Sequence, residues 1–95
     1  MAESVIFDKE MGITHRDFVR ILSRVVGEQN YRRDGRQIVV EDSDRRLEIT
    51  LSEEKERRIA LVVLPVTRVR FAFTGYDDPE QAMLHLDRHF QRGGG

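Results

Sequence analysis

RQIVVEDSDRRLEITLSEEKERRIALVVLPVTRVRFAFT, residues 36–74, places apolar residues at every second position in four successive sets. That is the spacing of one buried face of a pleated sheet. The sets are Ile38 and Val40; Leu47, Ile49 and Leu51; Ile59, Leu61 and Val63; and Val69, Phe71 and Phe73. Residues opposite one another in antiparallel strands share a side of the sheet, so the loops must bring these sets face to face. A two-residue turn at Ser43-Asp44 sets Val40 against Leu47 and Glu41 against Arg46. An odd loop at Glu54-Lys55-Glu56 sets Leu51 against Ile59, and another at Pro65-Val66-Thr67 sets Val63 against Val69 and Leu61 against Phe71. The expectation is a four-stranded antiparallel meander.

Upstream, Thr14 reads as a helix N-cap, with Asp17 three residues on as a variant capping box and Ile13 placed to staple against Phe18. Phe18, Ile21, Leu22 and Val25 form one apolar stripe, while Arg16, Arg20 and Arg24 share the wet side, and Gly27 ends the helix. Residues 1–12 are expected as an N-terminal arm or an edge strand around the apolar patch Ser4 to Phe7. Asp34-Gly35 favours a tight turn, which makes Tyr31-Arg32-Arg33 a short extra strand beside Arg36 to Glu41. Downstream, Gly75-Tyr76 breaks the sheet pattern. Asp78 caps a second helix with Pro79 at its first position, and Ala82, Met83, Leu86 and Phe90 form its apolar face. Residues 93–95 read as a flexible glycine tail. The fold class that follows is a single two-layer α+β sandwich over residues 1–95, ordered (β)-α-β-β-β-β-α, with both helices on one face of the sheet.

Ninety-five residues support one core, and with no cysteine neither disulfides nor thiolate metal sites can supplement it. The longest apolar run, Ile59 to Val66, is too short to span a bilayer, and the first residues lack the basic and apolar pattern of a secretory signal, so a cytoplasmic location without membrane contact is expected. Sixteen basic against seventeen acidic residues argue against a chain built mainly to bind nucleic acid or anionic membrane. Fourteen of the sixteen basic residues are arginine, which reflects either codon usage or a demand for guanidinium at contacts with carboxylate or phosphate.

With both helices on one side, the other face of the meander carries Gln37, Val39 and Glu41; Arg46, Glu48 and Thr50; Arg58, Ala60, Val62 and Leu64; and Arg68, Arg70, Ala72 and Thr74. On the expected pairing Glu48 faces Val62, Val62 faces Arg70 and Leu64 faces Arg68. The third strand is then apolar on both sides. Val39, Ala60, Val62, Leu64 and Ala72 make a patch rimmed by Arg46, Arg58, Arg68, Arg70 and Glu48, the composition of many protein interfaces. The bland alternative is that arginine stems lie across small apolar residues and shield them. The preferred function is therefore a small non-enzymatic module that binds a protein partner or itself, as a homodimer, through this face. The alternative is a weak nucleic-acid or anion site on Arg46, Arg58, Arg68 and Arg70. No outward aromatic is available to stack a base, and Glu41 and Glu48 sit where phosphate would run.

His85 and His89 stand one helical turn apart, but glutamate does not follow the first histidine as in metalloproteases. No glycine-rich loop joins a strand to a helix, and Ser23 and Ser43 lack a base and an orienter. Catalytic residues, metal and cofactor are accordingly expected to be none. Gly93-Gly94-Gly95 resembles the di-glycine end of ubiquitin-like sulfur carriers and modifiers over those residues alone; a helix running almost into them leaves an ordinary chain end as the reading. The element order resembles one half of the saddle in TATA-box-binding proteins, a likeness of layout without the intercalating aromatics that such binding needs.

Overall fold

The alternating sets at residues 38–51 and 69–73 form one face of an antiparallel sheet, and both helices cover it, in the computed structural model, which describes residues 3–93. The elements are β1 (Ser4–Met11), α1 (His15–Val26), a 3-10 turn (Glu28–Asn30), β2 (Tyr31–Asp34), β3 (Gln37–Asp42), β4 (Arg45–Leu51), β5 (Lys55–Ile59), β6 (Val62–Thr74) and α2 (Pro79–Gly93). The sheet runs β1-β6-β4-β3-β2, with β5 on the first part of β6. The α+β class, the helix layer and the short extra strand at residues 31–34 agree with the sequence reading. Of the expected glycine tail, Gly93 is instead the last residue of α2, and Gly94 and Gly95 lie outside the described residues.

Local chemistry sets the helix ends as expected. Thr14 Oγ1 accepts the Asp17 N–H at 3.1 Å and Gly27 N–H donates to the Ser23 carbonyl at 2.9 Å, which bracket α1. Asp78 Oδ1 accepts the Gln81 N–H at 3.1 Å to open α2. Phe18, Ile21 and Leu22 of α1 and Met83, Leu86 and Phe90 of α2 are buried against Ile38, Val40, Leu47, Ile49, Leu51, Val69, Phe71 and Phe73. Phe18 joins the layers: its ring stacks on Phe90 at 4.6 Å and lies 6.2 Å from Phe71.

Residues 4–11 form an edge strand rather than a loose arm. β1 pairs antiparallel with β6 from Ser4 opposite Thr74 to Met11 opposite Thr67. Phe7 meets Phe73 edge-on at 5.7 Å, and Lys9 Nζ reaches Asp87 of α2 at 2.6 Å. Among the described residues no helix is long and apolar enough to cross a membrane.

The pairing of the expected first two sheet strands holds, with Val40 opposite Leu47 and Glu41 opposite Arg46. The second half of the meander does not. The chain does not reverse at Glu54-Lys55-Glu56, nor at Pro65-Val66-Thr67. It continues beyond β4 and reverses at Ala60-Leu61, so that Ile59 faces Val62, Arg58 faces Val63 and Arg57 faces Leu64. β4 pairs with the far part of β6 directly, setting Ile49 against Phe71, Glu48 against Ala72 and Thr50 against Arg70. The expected pairs Leu51–Ile59, Val63–Val69, Leu61–Phe71, Glu48–Val62, Val62–Arg70 and Leu64–Arg68 are therefore absent. Leu61, expected in the core, is 100% exposed.

The physical reason is a one-residue bulge. Leu51 pairs with Val69 and Lys55 with Val66, so residues 52–54 oppose only residues 67 and 68. The extra residue shifts the register and exchanges the faces of β5 relative to β4, as bulges do. Ser52 fixes it: its N–H donates to the Arg68 carbonyl and its Oγ accepts the Arg68 N–H, both at 2.9 Å.

Candidate functional site

Beyond the bulge, β5 and the first part of β6 leave the helix layer and project as a two-stranded arm, which accounts for principal extents of 48 × 24 × 24 Å. Ile59 (56% exposed), Val62 (53%), Val63 (45%) and Leu64 (44%) surround the tip residue Leu61. A two-stranded ribbon is marginal on its own in water, and scattered surface apolar residues are ordinary, but five in one six-residue stretch are a patch. The turn is built against local preference. Ala60 holds φ 53°, a left-handed value usually given to glycine, asparagine or aspartate, and its neighbour Leu61 points wholly into solvent.

The root of the arm is fixed, unlike its tip. Glu54 Oε1 accepts the His15 N–H at the start of α1 at 2.5 Å, where the helix dipole favours a carboxylate. His15 Nε2 lies 2.6 Å from the Ser52 carbonyl, which can only accept, so that nitrogen carries the proton. The fully buried Thr67 donates from Oγ1 to the Ile13 carbonyl at 2.8 Å, and Arg57 reaches Glu10 of β1 at 2.5 Å. These contacts tie the arm's base to the α1 N-terminus and to β1.

The ribbon's edges are poor templates for another strand. Bonded and unbonded pairs alternate along an antiparallel ladder, and a two-residue turn closes on a bonded pair, here Ile59 and Val62. Arg58 and Glu56 on one side, and Val63 and Pro65 on the other, then direct their backbone groups outward. Pro65 has no N–H to offer, and β5 is lined with charge at Lys55, Glu56, Arg57 and Arg58. Contact is left to the side chains.

The interaction residues expected from the sequence fall into two groups. Arg58, Ala60, Val62 and Leu64 lie on the arm. Val39, Arg46, Glu48, Arg68, Arg70 and Ala72 lie on the outer face of the main sheet, where Glu48 separates Val39 from Ala72. Glu48 thus divides the apolar residues of that face into Val39 on one side and Ala72, beside the exposed Ile6 of β1, on the other. The arginines are laced to carboxylates: Arg70 Nε and an Nη donate to the two oxygens of Asp8 at 2.8 and 3.2 Å, Arg46 lies 3.0 Å from Glu48, and Arg32 lies 2.8 Å from Glu41. The hydrogen bond and charge of Arg70 hold the Asp8 carboxyl below its ordinary value, with slight burial opposing them. Arg68 makes only a 4.0 Å approach to Glu10. Sequence reasoning missed Ile59, Leu61 and Val63, which it assigned to the core. The third strand, apolar on both faces, was noted but taken for a buried strand with an outer patch, and Pro65, placed in a loop, stands inside β6 where a central strand would exclude it.

At the opposite end of β6 a groove of about 710 Å³ opens between the helices, floored by Val40, Leu47 and Phe73 and walled by Val25, Ala82 and Leu86. Tyr76 lies in it, edge-on to Phe73 at 5.0 Å, with the Arg45 guanidinium 5.0 Å from its ring centre. Burial raises the Tyr76 phenol above its ordinary value, partly opposed by that guanidinium. Arg45 also pairs with Asp42, which leaves Asp77 and Asp78 as the exposed charges of the rim. The His85 and His89 rings sit 4.8 Å apart on exposed positions of α2, and no group of three or more metal-binding side chains occurs among the described residues. Ser23 Oγ bonds to the Val19 carbonyl and the Tyr31 hydroxyl, with no base beside it. Comparison of the chain with protein-family models, with curated proteins and with solved structures finds no match.

Proposed function

We propose that this chain is a small non-enzymatic protein-interaction module whose contact surface is the β5–β6 arm, with the outer sheet face as its flank. One observation carries the reading: a fully exposed Leu61 at the tip of a turn held at positive φ, among four other exposed aliphatic residues, on a root fixed by hydrogen bonds. A rigid base with an apolar tip suits insertion into a partner's groove, because little ordering remains to oppose binding. The charge on β5 and Pro65 on β6 discourage strand addition, so the side chains supply the contact. On the outer face, Arg46 and Arg70 face carboxylates of their own chain rather than a vacant anion site.

The test is site-specific photo-crosslinking in the producing cell, with a benzophenone side chain at position 61 and a control at the exposed Arg16 of α1. Protein adducts from position 61 that are absent from position 16 are expected, and mass spectrometry identifies the second chain. Equal or absent adducts at both positions would remove the arm as a contact surface.

A further inference from the structure

We infer that the occupant of the arm's contact is a second copy of this chain, and that the arm tip of one copy seats in the groove between the helices of the next. The inference rests on the reading of the arm as a contact surface and adds its receptor. Arm and groove match in two independent respects. The tip presents Ile59, Leu61 and Val62, and the groove offers the partly exposed Val25, Val26, Tyr76 and Ala82 over the nearly buried Leu47, Phe73 and Leu86. Behind the tip stand Lys55, Glu56, Arg57 and Arg58, and with Arg57 paired to Glu10 the stem keeps a net positive charge from Lys55 and Arg58 against Glu56; the groove's rim carries Asp77 and Asp78. A cationic stem therefore meets an acidic mouth when an apolar tip enters an apolar floor.

A copy cannot satisfy itself. The tip adjoins Val62 and the groove adjoins Phe73, at opposite ends of the thirteen-residue β6. At about 3.3 Å per residue these points stand roughly 40 Å apart. The contact is thus head-to-tail, using different surfaces on the two partners, and it propagates as a ring or an open chain unless an end is blocked.

The experiment uses two kinds of variant in the full chain. Leu61→Asp disables the arm at a fully exposed position, and Ala82→Arg disables the groove; Asp77→Arg, at the exposed rim, is a second groove variant should Ala82→Arg disturb α2. By sedimentation velocity the wild type is expected to increase in mass with concentration, and each variant alone to remain a monomer. A one-to-one mixture of arm and groove variants should form dimers and nothing larger, because one intact arm meets one intact groove. A monomeric wild type, a groove variant that assembles like wild type, or a mixture that stays monomeric would overturn the inference. Any of these together with position-61 adducts to another surface or another protein leaves the arm's role standing, whereas absence of adducts removes both.

Discussion

Phe71 and Leu61 have the same parity in the sequence and opposite fates in the structure, and replacing each by alanine measures the difference. Phe71 is 0% exposed, is flanked by Phe7 and Ile49 on the neighbouring strands, and lies 6.2 Å from Phe18. Truncating a buried phenylalanine costs about 3–5 kcal/mol, from lost transfer energy and the cavity left behind. A domain of this size has roughly 5–14 kcal/mol in total at about 0.05–0.15 kcal/mol per residue, so the loss is a large share of it. With urea slopes of about 1–3 kcal/mol/M, the Phe71→Ala midpoint should fall by at least about 1 M. Leu61→Ala removes a side chain that touches only solvent in the isolated chain and should stay within about 0.5 kcal/mol of wild type. Both belong at low micromolar concentration, because association would add its own stabilisation to the wild type. A Phe71→Ala loss below about 1 kcal/mol, or a Leu61→Ala loss above it at that dilution, would refute the bulged register.

Two further outcomes test the local geometry. Gly75 has φ 79° and a Cβ there would lie 2.4 Å from the Asp44 carbonyl oxygen, whereas at Gly35, φ 61°, it would meet nothing within 4 Å. Gly35→Ala should therefore cost about 1–2 kcal/mol from conformation alone and Gly75→Ala distinctly more; equal losses in urea titration would contradict the close approach. The Asp8 carboxyl should titrate below its ordinary value of 3.8 in a carbon-detected NMR experiment, and Arg70→Gln should return it upward. Because the folded value is the lower one, any associated stability is present above the unfolded value and disappears as pH falls through the folded one. An Asp8 midpoint unmoved by Arg70→Gln would mean that the bidentate pair does not form in solution.

Elements whose signals are local were legible in the sequence. Thr14, Gly27, Asp78 and Pro79 announce helix ends through chemistry confined to a turn or two, and Val40 opposite Leu47 follows from a short loop with one sensible length. The hairpin beyond Leu51 was not legible in the same way. A strand that turns early and a strand that bulges and continues both keep Ile59, Leu61 and Val63 at alternate positions, and parity alone does not separate them. The residues that do are Pro65, which belongs at an edge, and Val62 and Leu64, which leave no polar face for a one-sided sheet. The composition of the proposed interaction surface was thus readable before its shape: apolar residues with arginines near them were found, but four of the ten residues stand on an arm and six on a charge-laced face. The groove between the helices had no signature in the sequence, because its floor consists of the same core residues that any α+β layer requires.

The pairing of β1 with β6 has a consequence for how the protein is made. Ser4 meets Thr74 across 70 residues of chain, and β4 also pairs with β6, so the central strand of the sheet leaves the ribosome after the five other strands. The hairpins β2–β3 and β3–β4 and the arm can close from local sequence, but β1 must wait with Val5 and Phe7 unpartnered until translation has passed residue 74. Contacts this distant in sequence are the slow ones. The residues of the apolar arm thus emerge before the sheet that anchors its root can close, and their side chains stay exposed for that interval.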